Sequence, residues 1–279
     1  TTVRKVGETE CCLKHIVTLK QCDPIEGVIV ECFDNEKELL MAWKNMMVKL
    51  DPDIVTGYNI NGFDFNYLYK RAEILNCVGS FMKLGRIYDK VCEFEIKLLQ
   101  SSALGQNELR FIDMDGRVIV DLLKLIQRDH NLDSYKLDNV ASVFMDQNKM
   151  DLSPAELFDN YNLVGTPDKI KEIAVYCIQD CELCNNLMDK LSVIPNNIGM
   201  SNVCSVPLSF LFFRGQGIKI FSLVAKFCRN EKTIIPVMTP DDSTKQWYEG
   251  AIVLDATPGI FTEDPITVAD YNSLYPNSM

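Results

Sequence analysis

Histidine is nearly absent: His15 and His130 are the only two in 279 residues. Histidine-based metal centres and Ser-His or Cys-His catalytic pairs therefore have almost no material. Long apolar runs are missing too. No stretch of about 18 uncharged apolar residues exists, so no transmembrane span is expected. The first residues, Thr1-Thr2-Val3-Arg4-Lys5, offer neither an initiator Met nor the apolar centre of a signal peptide. Basic charge is short: 28 Lys and Arg face 39 Asp and Glu, a formal net charge of −11. On its own that counts against a nucleic-acid partner, which favours basic surface. There is no Gly-x-Gly-x-x-Gly and no Gly-Lys-Ser/Thr, which speaks against a generic nucleotide-binding α/β protein with a Gly-rich loop.

What is present is ordinary globular material. Hydrophobic residues make up 47% and charged residues 24%, which excludes a disordered chain. The length suits one large domain or two ordinary ones. Eleven cysteines are too few for a disulfide scaffold of this size, and an odd number cannot all pair internally. Scattered through apolar segments, as at Cys177, Cys204 and Cys228, they fit a reducing compartment.

Periodicity gives an alternation of strands and helices. Residues 28–33 and 54–58 read as strands. Between them Leu39, Leu40, Trp43, Met46, Met47 and Leu50 recur at helical spacing, with Asn35 and Glu38 as a capping box. A second helix is expected over 65–75, with Leu68, Ala72 and Leu75 on one face. Strands follow over 86–98, 108–112 and 118–120, then helices over 121–129 and 134–145. Ser153-Pro154-Ala155-Glu156 and Thr166-Pro167-Asp168 are helix starts, the second opening a helix to about 191. A polar boundary is expected over 192–202, helix over 205–230, a loop over 238–250, and strands over 251–254 and 266–270. The fold class is therefore α/β.

Four places could carry chemistry. Asn59-Ile60-Asn61-Gly62-Phe63-Asp64 follows a strand and precedes a helix, where α/β proteins collect ligands; Asp64 is equally a candidate helix cap. Tyr176 and Asp180 are one helical turn apart on one face. They suit either a metal with its bound water or a plain surface Asp beside a half-buried Tyr. Cys177, Cys181 and Cys184 lie on an adjacent face; with no fourth ligand nearby they read as packing rather than zinc. Ile266-Thr267-Val268 delivers Asp270 to a turn whose N–H groups could face an anion. Trp247-Tyr248-Glu249-Gly250 puts aromatics beside a Gly, for base stacking or simple packing.

In this order and spacing the four places resemble family B DNA polymerases, of the delta-like branch and its relatives in large DNA viruses. Asp51 to Asn59 with Phe63-Asp64 resembles the second exonuclease motif, and Tyr176 to Asp180 the third. Tyr248-Glu249-Gly250-Ala251 resembles the element joining exonuclease to polymerase. Asp270 to Pro276 resembles polymerase motif A, and Val206 to Gln216 the approach to the palm. The resemblance covers nearly the whole chain. It implies a ribonuclease-H-like exonuclease domain, a mixed sheet with flanking helices, over 1–200, and a linker with the beginning of a palm over 201–279.

The same resemblance implies two Mg²⁺ ions per active site in the complete enzyme. Asp64 and Asp180 would be exonuclease ligands, and Tyr176 would orient the attacking water. Asn59 and Phe63 would hold the 3′ end. In the polymerase site Asp270 and the carbonyl of Tyr271 would be ligands. Ser273 and Leu274 would meet the triphosphate, and Tyr275 would pack under the deoxyribose. Tyr248 and Gly250 are implied substrate contacts. The implied partners are primer-template DNA, deoxynucleoside triphosphates and a processivity clamp. The implied setting is intracellular, a host nucleus or a cytoplasmic viral factory, with no membrane.

Departures sharpen the expectation. Nothing in residues 1–27 supplies the family's first exonuclease motif, Asp-x-Glu on a strand, and Asn277 stands where Ser is usual. The chain is expected to be an internal piece, inactive by itself, with a basic strip of Arg214, Lys219 and Lys226 toward the template. Two rivals remain: a stand-alone ribonuclease-H-like exonuclease, and a non-catalytic scaffold subunit derived from a polymerase.

Overall fold

The computed structural model describes residues 1–101, 105–145, 153–235, 252–263 and 265–278. The chain divides into two units, Thr1–Ile235 and Pro236–Met279. The first opens with strands β1 (Thr2–Val3), β2 (Leu13–Thr18) and β3 (Ile29–Cys32). Helix α1 (Glu36–Leu50) and strand β4 (Ile54–Gly57) follow, then a π-helical turn at Ile60–Asp64 and helices α2 (Phe65–Ile74) and α3 (Val78–Phe81). Strands β5 (Glu93–Ser101), β6 (Gly105–Asp113) and β7 (Val118–Asp121) lead to helices α4 (Leu122–Asp129) and α5 (Leu137–Met145). Helices α6 (Pro154–Asp159), α7 (Pro167–Lys190), α8 (Val193–Cys204), α9 (Phe210–Phe213) and α10 (Gln216–Asn230) complete the unit.

The strands form three small sheets. β2 pairs antiparallel with β1 and parallel with β3; β4 pairs parallel with β7; β5 and β6 form an antiparallel ribbon. β7 divides the core. Ile119 joins a cluster with Leu40, Phe65, Ala72, Phe81 and Ile112. Its neighbour Val120 joins another with Leu122, Ile126, Cys184 and Leu187. Side chains of a strand alternate between faces, so one four-residue strand serves both clusters, and α/β is the fold class found.

The sequence signals for helix starts act as expected with one refinement. Asn35 caps α1, but its side chain accepts from the Lys37 N–H, the second helical residue, so the short Asx side chain closes a tight turn instead of the box with Glu38. Ser153 and Glu156 do form a capping box on α6. Pro167 sits at the start of α7, where a missing N–H costs nothing.

Three expectations fail. The polar stretch 192–202 is helix α8: Pro195 falls in the first turn, whose N–H groups have no intrahelical partner anyway. The buried Asn197 amide donates to the Val193 carbonyl at 2.8 Å, so polarity there is satisfied within the helix. The strand expected from Arg86 starts only at Glu93. Asp89 has φ +58°, and Arg86 donates to Asp51, Asp53 and the Gly116 carbonyl, which folds 86–92 into turns. In the second unit, 252–254 and 266–270 are not strands. Val253, Leu254 and Val268 are exposed, and a strand needs a paired neighbour, of which the described residues of that unit supply none. Its one described helix is α11 (Leu274–Ser278). The expected loop at 238–250 lies outside the described residues.

Candidate functional site

Parallel pairing sets Gly57, the last residue of β4, beside Asp121, the last residue of β7. Both chains therefore leave their strands at the same carboxyl edge, the usual ligand side of a parallel sheet. From β4 the chain passes through Tyr58 to Asn59, which is left-handed at φ +64°. The Asn59 carbonyl accepts the N–H groups of Gly62 and Phe63, and the Phe65 N–H reaches back to Ile60. The turn is close-packed: a Cβ on Gly62 would lie 2.2 Å from Asn59 Oδ1, so the Asn59 side chain would have to move. A Cβ on Gly57 would lie 2.5 Å from Ile60 Cγ2.

Asp64 ends this turn already in helical conformation, φ −62°, and makes no capping bond. The capping alternative is thereby set aside, because the π-helical turn carries the chain into α2 without a cap. Asp64 is exposed as a residue, yet its carboxyl is drawn in among its neighbours. Burial pushes its pKa up, its own backbone N–H opposes, and the Asp121 carboxylate adds to the rise. Phe63 is 61% exposed and stacks on Tyr67 with ring centroids 5.8 Å apart. That leaves a flat apolar surface beside Asp64.

Asp121 is buried, 4% exposed. Its Oδ1 accepts from Asn59 N–H at 2.9 Å and Leu123 N–H at 3.0 Å; its Oδ2 accepts from Asn61 N–H at 3.0 Å. Burial pushes its pKa up, opposed by those three N–H groups and by Lys124. Helix α7 brings the third carboxylate. Tyr176 and Asp180 are half-buried, and the next turn carries buried Cys184. The Cys184 thiol is held neutral by burial first, then by Cys181, Asp180, Asp121 and Asp64. Carboxylates from three elements thus act on one buried thiol. Burial, with Asp121 and Cys184 adding, raises the Tyr58 hydroxyl as well; it donates to the Tyr135 carbonyl, tying the end of β4 to the loop before α5.

Asn59, Phe63 and Asp64 share one turn, and Asp180, with Tyr176 one helical turn before it, lies on α7, which packs against β4. Asp64 and Asp180 are hard oxygen donors, and two carboxylates are what Mg²⁺ commonly takes while keeping waters. The upward pressure on Asp64 comes first from burial, with the Asp121 charge adding, and a bound cation would favour the ionised form. Among the described residues no group of three or more His, Cys, Asp or Glu side chains forms a ready metal cage. Cys177 is exposed, Cys181 half-buried and Cys184 buried, so core packing describes only the last. All eleven cysteines are free thiols.

Asp270, Tyr271, Ser273, Leu274 and Tyr275 lie in the second unit and are exposed. Ser273 is left-handed at φ +48°, and its carbonyl accepts the Asn277 N–H at 3.0 Å. Tyr248 and Gly250 lie outside the described residues. In the expected basic strip, Lys226 is exposed, Arg214 lies over the Phe210 ring, and Lys219 is half-buried near Arg128 and Asp129. Asp121 and Tyr67 escaped the sequence reading. The signal for Asp121 was present: Val118-Ile119-Val120-Asp121 is an apolar strand ending in Asp, the pattern noticed at Asp270.

No helix among the described residues is long and apolar enough to cross a membrane. The sequence pattern of "DNA polymerase family B, exonuclease domain" matches residues 1–140, and that of "DNA polymerase family B" matches residues 206–279. The chain is 44% identical, over all of its length, to a DNA polymerase of Pyramimonas orientalis virus, of which it covers 28%. It is 40% identical to the DNA polymerase delta catalytic subunit of Dictyostelium discoideum, with 99% of the chain and 25% of the relative aligned. The corresponding subunit of Oryza sativa subsp. japonica is 39% identical, over 98% of the chain and 24% of its own length. The chain thus spans about a quarter of the length of these relatives.

Proposed function

This chain belongs to the family B DNA polymerases, and on that premise we propose that it carries most of a 3′→5′ proofreading exonuclease and the beginning of a DNA polymerase site. The observation that carries the proposal is the place of Asp64 beside the carboxyl edge of a parallel strand pair, with α7, the helix of Asp180, packed against β4 of that pair. In this reading a ribonuclease-H-like exonuclease domain covers 1–200, and a linker with the first part of a palm covers 201–279; matches over 1–140 and 206–279 support that order. The match over 206–279 favours a polymerase over a stand-alone exonuclease. Retention of Asp64, Asp180 and Asp270 disfavours a scaffold subunit.

In the exonuclease Asp64 and Asp180 hold Mg²⁺, two ions per active site in the complete enzyme. When bound, the metal supplies positive charge that stabilises the attacking and leaving oxygens of phosphoryl transfer. Tyr176 orients the water that attacks the terminal phosphodiester. Asn59 and Phe63 hold the unpaired 3′ end, and the apolar ring stacks on a base. A mispaired terminus reaches the site more readily because less unstacking energy is lost. In the polymerase Asp270 and the Tyr271 carbonyl hold the corresponding ions. Ser273 and Leu274 offer N–H groups to the triphosphate. Tyr275 packs under the deoxyribose, and Tyr248 and Gly250 contact the substrate strand. The substrates are primer-template DNA and deoxynucleoside triphosphates, in a reducing intracellular compartment, with a clamp as partner of the complete enzyme.

Paired substitutions in the complete enzyme test this. Asp64→Ala should abolish 3′→5′ digestion and leave primer extension near the unmodified rate; Asp270→Ala should do the reverse. Equal loss of both activities in either variant would overturn the assignment.

A further inference from the structure

We propose that Asp121 is a positioning residue of the exonuclease site: its carboxylate pins the turn at 59–62 and thereby fixes where Asn59 and Asp64 stand. The proposal rests on the exonuclease reading above.

A bland role is available, since Asp121 caps α4 through Leu123 N–H. That role needs one oxygen, and Ser or Asn would fill it as well. The structure uses both oxygens. Oδ1 also takes the Asn59 N–H and Oδ2 takes the Asn61 N–H, groups some 60 residues away in sequence. Only a carboxylate presents acceptors on both sides; the amide of Asn would turn a donor toward one N–H. Burying a carboxylate is costly unless hydrogen bonds replace water, and here three backbone donors do so.

The Asn59 carbonyl and the packing of Ile60 hold the later part of the turn, while the N–H groups of Asn59 and Asn61 are held by Asp121. Asn59 is a non-glycine residue in left-handed conformation, which costs energy unless surrounding structure imposes it. Asn61 is 3% exposed, and its Oδ1 has no hydrogen-bond partner among the described residues. Both residues are fixed through their backbone N–H groups by Asp121. Three residues beyond Asn61 stands Asp64. With three of roughly four acceptor sites occupied, Asp121 acts through the turn and not on the substrate.

Two variants of the complete enzyme separate the pin from the cap. Asp121→Ser keeps an oxygen that can cap α4 but cannot reach Asn59 and Asn61. Asp121→Asn keeps the size and loses one acceptor. Both should lower exonuclease kcat about 10- to 100-fold, the usual loss when a group supporting metal ligands is removed. KM for a single-stranded primer should rise as Asn59 loosens, while the rate of primer extension stays near the unmodified value. Hydrogen exchange followed by mass spectrometry should show faster exchange in a peptide covering 58–64. In the Ser variant a peptide covering 122–129 should keep its protection.

Unmodified exonuclease kcat in both variants, with Asp64→Ala inactive, would overturn the positioning role and leave the exonuclease reading standing. Loss of activity with protection lost equally over 58–64 and 122–129 in the Ser variant would reduce Asp121 to a structural cap. Retained digestion in Asp64→Ala would overturn both claims.

Discussion

Glu36, Asp64 and Asp121 are carboxylates at or just before the first turn of a helix, and their surroundings give them different work. Glu36 faces Arg71 of α2, which donates from Nε at 2.6 Å and from a second guanidinium nitrogen. Those bonds hold its pKa below the usual value, against a smaller opposing effect of burial. A depressed carboxylate pKa adds stability above the unfolded pKa, and the gain disappears as pH falls through the folded one. Glu36→Gln should therefore melt below the unmodified protein at pH 7. The gap should narrow below the ordinary pKa of 4.5 and close at lower pH; a gap independent of pH would exclude the ion pair as its cause. Asp64 and Asp121 shift the other way because burial outweighs their donors. Asp64 and Asp180 stood out in the sequence because each sits in a recognisable string of neighbours. Asp121 did not, because its partners, Asn59 and Asn61, are distant in sequence and contribute only backbone N–H groups, which any residue type other than proline has.

Among elements, α7 joins function to stability. Tyr176 and Asp180 are half-buried on it, while Leu183, Leu187 and Met188 are buried. Its start at Thr166-Pro167 and its length were readable, as were the capping box of α6 and the spacing of α1. Helix α8 was not, because Pro195, Asn196 and Asn197 carry turn composition; the position of Pro195 within the first turn decides the outcome, and composition does not report position. The exposed β-branched runs of the second unit misled in the opposite sense, since strand propensity describes fitness for a partner and does not provide one. Leu187 is fully buried among Val120, Ile126 and Val193. Leu187→Ala should lower unfolding free energy by about 2–5 kcal/mol, as large-to-small core changes do. Denaturant melts check this. Exonuclease kcat of the folded fraction should stay close to the unmodified value.

For the whole molecule, the net charge of −11 is a poor guide to partners if the proposed function holds. Part of the acidity lies in carboxylates proposed to hold a cation, and the sum cannot distinguish these from an acidic surface. Purified residues 1–279 should show negligible Mg²⁺-dependent digestion of a labelled primer, because residues 1–27 supply no Asp-x-Glu pair to complete a two-ion site. Robust digestion by this chain would refute that. The π-helical turn at Ile60–Asp64 has a last consequence, one of phase. Phe65, the residue after Asp64, is 3% exposed in the core with Leu40 and Ala72. Successive helical residues are about 100° apart. Helix α2 cannot roll about its axis without withdrawing Phe65, so the angle at which Asp64 is presented is inherited from packing that never meets the primer. A change of volume beneath Phe65 is therefore a change of aim.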